Sequence, residues 1–314
     1  MMRCSVRLGV LMTLCLGFSA EFRLQQTLAE PPSPSIDAAK PASADRPIGP
    51  DVEALAAIAR PTRWTRDEVD RYVSEIIKVS GRTFHVFHND PQVRMLSDVG
   101  PENIEILFEA LGKARGVADA HLEKAIQQVI QDNHRDLLLA YLPTHPRLAS
   151  IVVARGWQKD AKDLLFDGLK RDQYLGGAWF QAVASLDDPR VPEALRRHMA
   201  SGGNPVGAYG ALKALDYRDL NEAVHETWRA LLVDHSYRLD EFATIAARHG
   251  EVDALERIAR AVESRRETPF LRDLEQTLIE LVPYEGSPQE VAAIVLENLD
   301  RVRFDARTRR YSVE

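Results

Sequence analysis

Cysteine is almost missing from these 314 residues: the two present, Cys4 and Cys15, both precede the polar change at Glu21. If that segment is removed on export, the mature chain has no thiol, which excludes disulfides, thiolate nucleophiles and Cys-ligated metals. Positive charge is not in excess either. Lys and Arg number 40 against 47 Asp and Glu, a formal charge of -7, so nothing favours general binding to nucleic acid or an anionic membrane. The fingerprints of common chemistries are absent as well: there is no G-x-S-x-G, Walker loop, dinucleotide-binding glycine pattern or H-E-x-x-H. Aromatic residues make up only 7% of the chain, and no apolar run approaches the ~20 residues of a bilayer-spanning helix.

What is present begins with Arg3, Arg7 and the apolar stretch Leu8 to Ala20, followed by polar sequence. This is the shape of a secretory signal over residues 1–29, with cleavage near residue 20 or 29. As a helix, Leu8 to Ala20 would rise only about 20 Å against a bilayer core of ~30 Å, so no transmembrane span is expected in the mature chain. An uncleaved, membrane-anchoring signal is the alternative to a periplasmic or secreted protein. Residues 30–60 are rich in Pro, Ala, Ser and Asp and read as a linker that cannot bury enough apolar surface to fold alone.

From residue 61 the periodicity is helical. Thr65 is expected as an N-cap, with Glu68 reaching back from three residues on and Trp64 stapling to Val69. Apolar positions follow at Val69, Tyr72, Val73, Ile76 and Ile77, one buried stripe. Beyond Pro101 short helical segments alternate with tight turns such as ARGWQKD, SLDDPRV, LDYRDL and ARHGEVD, which makes neighbouring helices antiparallel. One apolar template, x, x+3, x+4, x+8, recurs in the second helix of successive pairs. It fits Ala161-Leu164-Leu165-Leu169, Val191-Ala194-Leu195-Met199, Leu220-Ala223-Val224-Trp228 and Val291-Ile294-Val295-Leu299, while Leu255, Ile258 and Ala259 fit with Val262 one place early. The starts at 161, 191, 220, 255 and 291 are 30, 29, 35 and 36 residues apart, the range of helical repeats. The expected fold is all-α: an α-α superhelix, or solenoid, of about six antiparallel hairpins over residues 61–302, followed by a basic tail at 303–314.

The segment Leu186-Asp-Asp-Pro-Arg-Val-Pro-Glu-Ala-Leu195 resembles the inter-helix turn and second-helix start of short bacterial HEAT-like repeats; Leu215 to Val224 is a looser match without the prolines. That resemblance implies a superhelix that binds proteins, and no catalytic residue carries over with it.

Asp187 and Asp188 raise the question of a paired acid and base. Adjacent side chains point apart, however, and Pro189 and Pro192 make this a corner at which the chain restarts a helix near Pro192. Residues His85, His88 and Asp90 in FHVFHND could supply three metal ligands; this is the alternative reading, a metal-dependent enzyme. The remaining histidines are spread singly over different hairpins. Trp157, in a polar turn, is the expected exposed aromatic of an interface, and Arg196, Arg197, Glu222, Glu226, Arg257 and Arg260 are the expected contact residues on the second helices. The functional expectation is an exported, non-catalytic scaffold that binds an unknown protein partner, with no cofactor.

Overall fold

The structure, a computed structural model, describes residues 58–80, 91–114, 117–171, 175–234, 238–265 and 270–314. The export signal, nearly all of the 30–60 linker and the trio His85, His88 and Asp90 lie outside the described residues. Those described form fifteen α-helices with short 3-10 turns and one two-stranded sheet. The chain divides into two compact units, the first ending at Leu164 and the second running from Leu165 to Glu314, where one continuous repeat domain was expected.

In the first unit α1 (Arg66–Ser80) buries Val69, Tyr72, Val73 and Ile76, as its stripe requires, and leaves Ile77 exposed. Its start departs from the expected capping box. Thr65 Oγ1 does accept from the Glu68 amide at 3.4 Å, but the Glu68 carboxylate turns to Arg71 at 2.7 Å, and Trp64 packs edge-on against Tyr72. Next come α2 (Pro91–Ser97), α3 (Ile104–Lys113) and α4 (Val117–Val129), with α1 on α3 and α4, α2 on α4, and α3 on α4. The smaller α5 (Arg135–Tyr141) and α6 (Ala149–Arg155) follow.

The unit boundary falls within α7 (Lys162–Leu169). The second unit then holds α8 (Gly177–Ala184), α9 (Val191–Ala200), α10 (Pro205–Ala214), α11 (Leu220–Val233), α12 (Leu239–Arg248), α13 (Val252–Glu263), α14 (Leu271–Leu281) and α15 (Pro288–Glu297). Helices here pack on their sequence neighbour and, except for α11, on the next but one: α8 on α9 and α10, α9 on α10 and α11, α10 on α11 and α12, α11 on α12, α12 on α13 and α14, α13 on α14 and α15. The apolar template falls on every second helix, α7, α9, α11, α13 and α15. Its x+4 residues Leu165, Leu195, Val224, Ala259 and Val295 are all buried.

Local chemistry sets these helices. Pro192, Pro205 and Pro288 occupy first-turn positions where no amide is needed. Asn204 Oδ1 caps α10 through the Gly207 amide at 3.0 Å, and Ser287 and Glu290 form a reciprocal capping box on α15. Gly168 lets two helices approach: a Cβ there would sit 2.1 Å from the fully buried Trp179 ring, whose Nε1 donates to Leu165 O at 3.1 Å.

The expected basic tail is a β-hairpin instead. Strand β1 (Val302–Asp305) pairs antiparallel with β2 (Arg310–Val313), Val302 facing Val313 and Phe304 facing Tyr311. Alternation places Val302, Phe304 and Tyr311 on the inner face, with Val302 and Tyr311 buried. Tyr311 donates its hydroxyl hydrogen to Ala247 O at 2.8 Å, with Glu251 O 3.2 Å away. Phe304 lies over Gly250, whose φ of +95° and whose missing Cβ, which would meet Phe304 at 2.8 Å, both call for glycine.

Candidate functional site

Five of the expected contact residues, Arg196, Arg197, Glu226, Arg257 and Arg260, are brought into ion pairs within a helix or between helices. Arg196 of α9 grips Glu226 of α11 with two nitrogens, at 2.7 and 3.1 Å. Arg197 pairs with Glu193 at 2.9 Å, Arg260 with Glu256 at 2.6 Å and Arg257 with Asp240 at 2.6 Å. Glu222 is exposed. Trp157 corrects the expectation of an exposed aromatic: at 7% exposure it is core, because Gly156, at φ +74°, ends α6 in a left-handed residue and turns the indole back inward.

The pair Asp187 and Asp188 behaves as a corner. Asp187 is exposed, whereas the Asp188 side chain is only 6% exposed and accepts from the Arg190 amide at 2.9 Å and from its guanidinium at 2.9 and 3.0 Å. The Arg190 guanidinium in turn lies 4.6 Å over the Phe166 ring. The two carboxylates therefore face different surroundings.

Sequence reasoning missed what the histidines do, since the partners of His225 and His249 are 26 to 40 residues away and His198 reaches 29 residues back to Leu169. His198 is buried, its Nδ1 2.8 Å from Leu169 O and its Nε2 accepting the Asn204 amide at 3.2 Å. That places the proton on Nδ1. Burial holds its pKa below the ordinary value. Beside it, Asn204 Nδ2 donates to Leu175 O at 2.7 Å.

Further along the unit, Tyr209, Asn221, His225, His249, Glu251 and Tyr311 converge from α10, α11, the α12–α13 turn and β2. His249 Nδ1 lies 2.6 Å from Asn221 Oδ1 and Nε2 lies 3.1 Å from the Tyr209 hydroxyl. Burial, aided by the positive Arg309 and by His225 and Lys213, depresses His249 to about 4, so it is neutral near pH 7. His225 Nδ1 bonds the Glu251 carboxylate. A carboxylate-bound imidazole can hold and pass a proton, and the bonds of His225, His249 and Tyr311 named above end on other elements of the same unit. The evident work of the cluster is to fasten α10, α11 and the C-terminal hairpin to the α12–α13 turn.

In the first unit burial raises Glu123 on α4 to about 7, against the pull of Arg147 and with a further push from Asp119 one turn earlier. An open cleft of about 560 Å3 is lined by Pro101, Gln128 to Asp132 and Arg155. Its cation is engaged, since the Arg155 guanidinium donates to Ile130 O and stands 4.0 Å from Asp132. Among the described residues no group of three or more His, Cys, Asp or Glu is placed to hold a metal ion, and no helix is long and apolar enough to cross a membrane.

No family model, curated protein or solved structure matches this chain. The class that fold and site define is therefore an all-helical protein of packed helix pairs with a small terminal hairpin.

Proposed function

We propose that this chain is an exported, non-catalytic scaffold of stacked helix pairs, a HEAT-like α-α superhelix, that acts by binding another protein. The observation that carries this reading is the apolar template on alternate helices, joined to packing of α8 on α10, α9 on α11, α10 on α12, α12 on α14 and α13 on α15. A hairpin with one apolar stripe cannot cover itself, so neighbours cover it and leave long polar faces for a partner. The internal pairing of Arg196, Arg197, Arg257 and Arg260 makes those faces stiff and leaves exposed acids such as Glu222 for contact. Export rests on Arg3, Arg7 and the Leu8 to Ala20 run.

A photo-reactive residue placed at Glu222, with Asp187 as the corner control, tests both parts in the native host. One discrete protein adduct at position 222 in the exported fraction, absent at 187, is the expected result. A chain retained in the cytosol with residues 1–29 intact would overturn export, and adducts equal at both positions, or none, would overturn the scaffold.

A further inference from the structure

We infer that Met95 is an oxidation site: a two-electron oxidant such as hydrogen peroxide converts its thioether to a single sulfoxide epimer and so loosens α1 from α2. This rests on neither export nor a partner and concerns the first unit alone. Met95 and Met199 are the only sulfur-bearing residues after Cys15. Met199 is fully buried and Met95 is half-buried, so Met95 is the sulfur that a small oxidant reaches first.

The thioether does more than fill space. Tyr72, fully buried in α1, donates its hydroxyl hydrogen to Met95 Sδ at 3.1 Å, and this is the hydroxyl's one hydrogen bond among the described residues. A leucine at 95 would leave that buried donor without a partner. Burial pushes the Tyr72 pKa up to about 12, so the hydroxyl keeps the proton it donates. Trp64 packs edge-on against the same ring, centroids 5.6 Å apart, which holds the phenol in place. Helix α2 is tied to α4 by Ser97 Oγ, which donates to Gln128 Oε1 at 2.8 Å. The Tyr72–Met95 bond is the corresponding tie to α1.

The reaction balances between sulfur and peroxide. A sulfur lone pair attacks one peroxide oxygen, the O–O bond breaks, and the departing hydroxide takes the proton of the transferred oxygen and leaves as water. Sulfur loses two electrons and peroxide gains them. One of the two lone pairs on Sδ is engaged by Tyr72, so oxygen adds at the other. The new oxygen then points away from the hydroxyl, and the electron-poor sulfur no longer accepts from it. A buried donor is left unpaired, and the hold of α1 on α2 weakens.

The test treats the purified full chain with dilute hydrogen peroxide, followed by peptide mass spectrometry and hydrogen exchange. Met95 should gain one oxygen about tenfold faster than Met199, or more. Exchange in α1 and α2 should then rise about fivefold or more, with the second unit unchanged. Of the two reductases that each act on one sulfoxide epimer, one should restore slow exchange and the other should not. In Tyr72→Phe both lone pairs are open, so both epimers should form and each reductase should act on part of the product. Met95→Leu should show no response to peroxide, and it serves if Tyr72→Phe misfolds. Four results would overturn the proposal: Met199 oxidised as fast as Met95; equal amounts of the two epimers in the parent chain; oxidised parent exchanging α1 and α2 at the untreated rate; or the same rise in exchange in Met95→Leu.

Discussion

Gly168 shows how a single residue decides packing. Helix propensity alone makes Gly168→Ala favourable by about 1 kcal/mol. A Cβ 2.1 Å from Trp179, however, strikes an indole that is fully buried and held by Leu165 O. Overpacking should win, and Gly168→Ala should lose about 1 to 3 kcal/mol in urea unfolding; a more stable variant would contradict this. Two titrating groups give a second prediction with a definite sign. His249 falls from 6.5 unfolded to about 4 folded, so its contribution is whole above about 6.5 and is lost as pH falls toward 4. Glu123 rises from 4.5 to about 7, so its contribution is whole below about 4.5 and is lost as pH rises through 7. The two slopes oppose over the same window. Relative to the parent chain, His249→Gln should gain stability at pH 5 compared with pH 7.5, and Glu123→Gln should lose it. Urea midpoints at the two pH values read both, and shifts of the same sign would contradict the assignment.

At the scale of the element, the corner and the helix that follows it separate a reactive site from a structural one. Asp188→Asn keeps an acceptor for the Arg190 amide but gives up its charge and the bond from the Arg190 guanidinium to Oδ2, so it should cost about 1 kcal/mol. Leu195→Ala, at the buried x+4 slot of α9, should cost about 2 to 5 kcal/mol as a core truncation. The reverse order would reopen the corner as a functional site. Helices of this kind are legible in sequence because the three-and-four spacing that buries one stripe also marks it, as at Leu195, Val224 and Ala259. The edge-on contact of Trp64 with Tyr72, two turns on, was not foreseen because the staple pattern looks only as far as Val69. The terminal hairpin escaped notice because four residues of alternation per strand are too few to stand out beside five arginines. The partner of Tyr311, 64 residues earlier, leaves no local trace at all.

For the whole molecule, the histidines correct the impression of isolated residues. His198 joins α9 to the end of α7, His225 joins α11 to the start of α13, and His249 joins the end of α12 to α10 and α11. Each tie links helices of different pairs, the same reach as the Arg196–Glu226 and Arg248–Glu280 ion pairs. Such bonds were invisible because repeat spacing tells which helices recur, while the polar groups that meet across them depend on register in space. If the second unit is the stack proposed above, with each helix pair held by its neighbours, damage at one pair stays local. Hydrogen exchange on the full chain carrying Leu195→Ala tests this directly. Faster exchange in α8 to α11 with α13 to α15 unchanged is expected, whereas an equal rise across all eight helices α8 to α15 would rule the stack out.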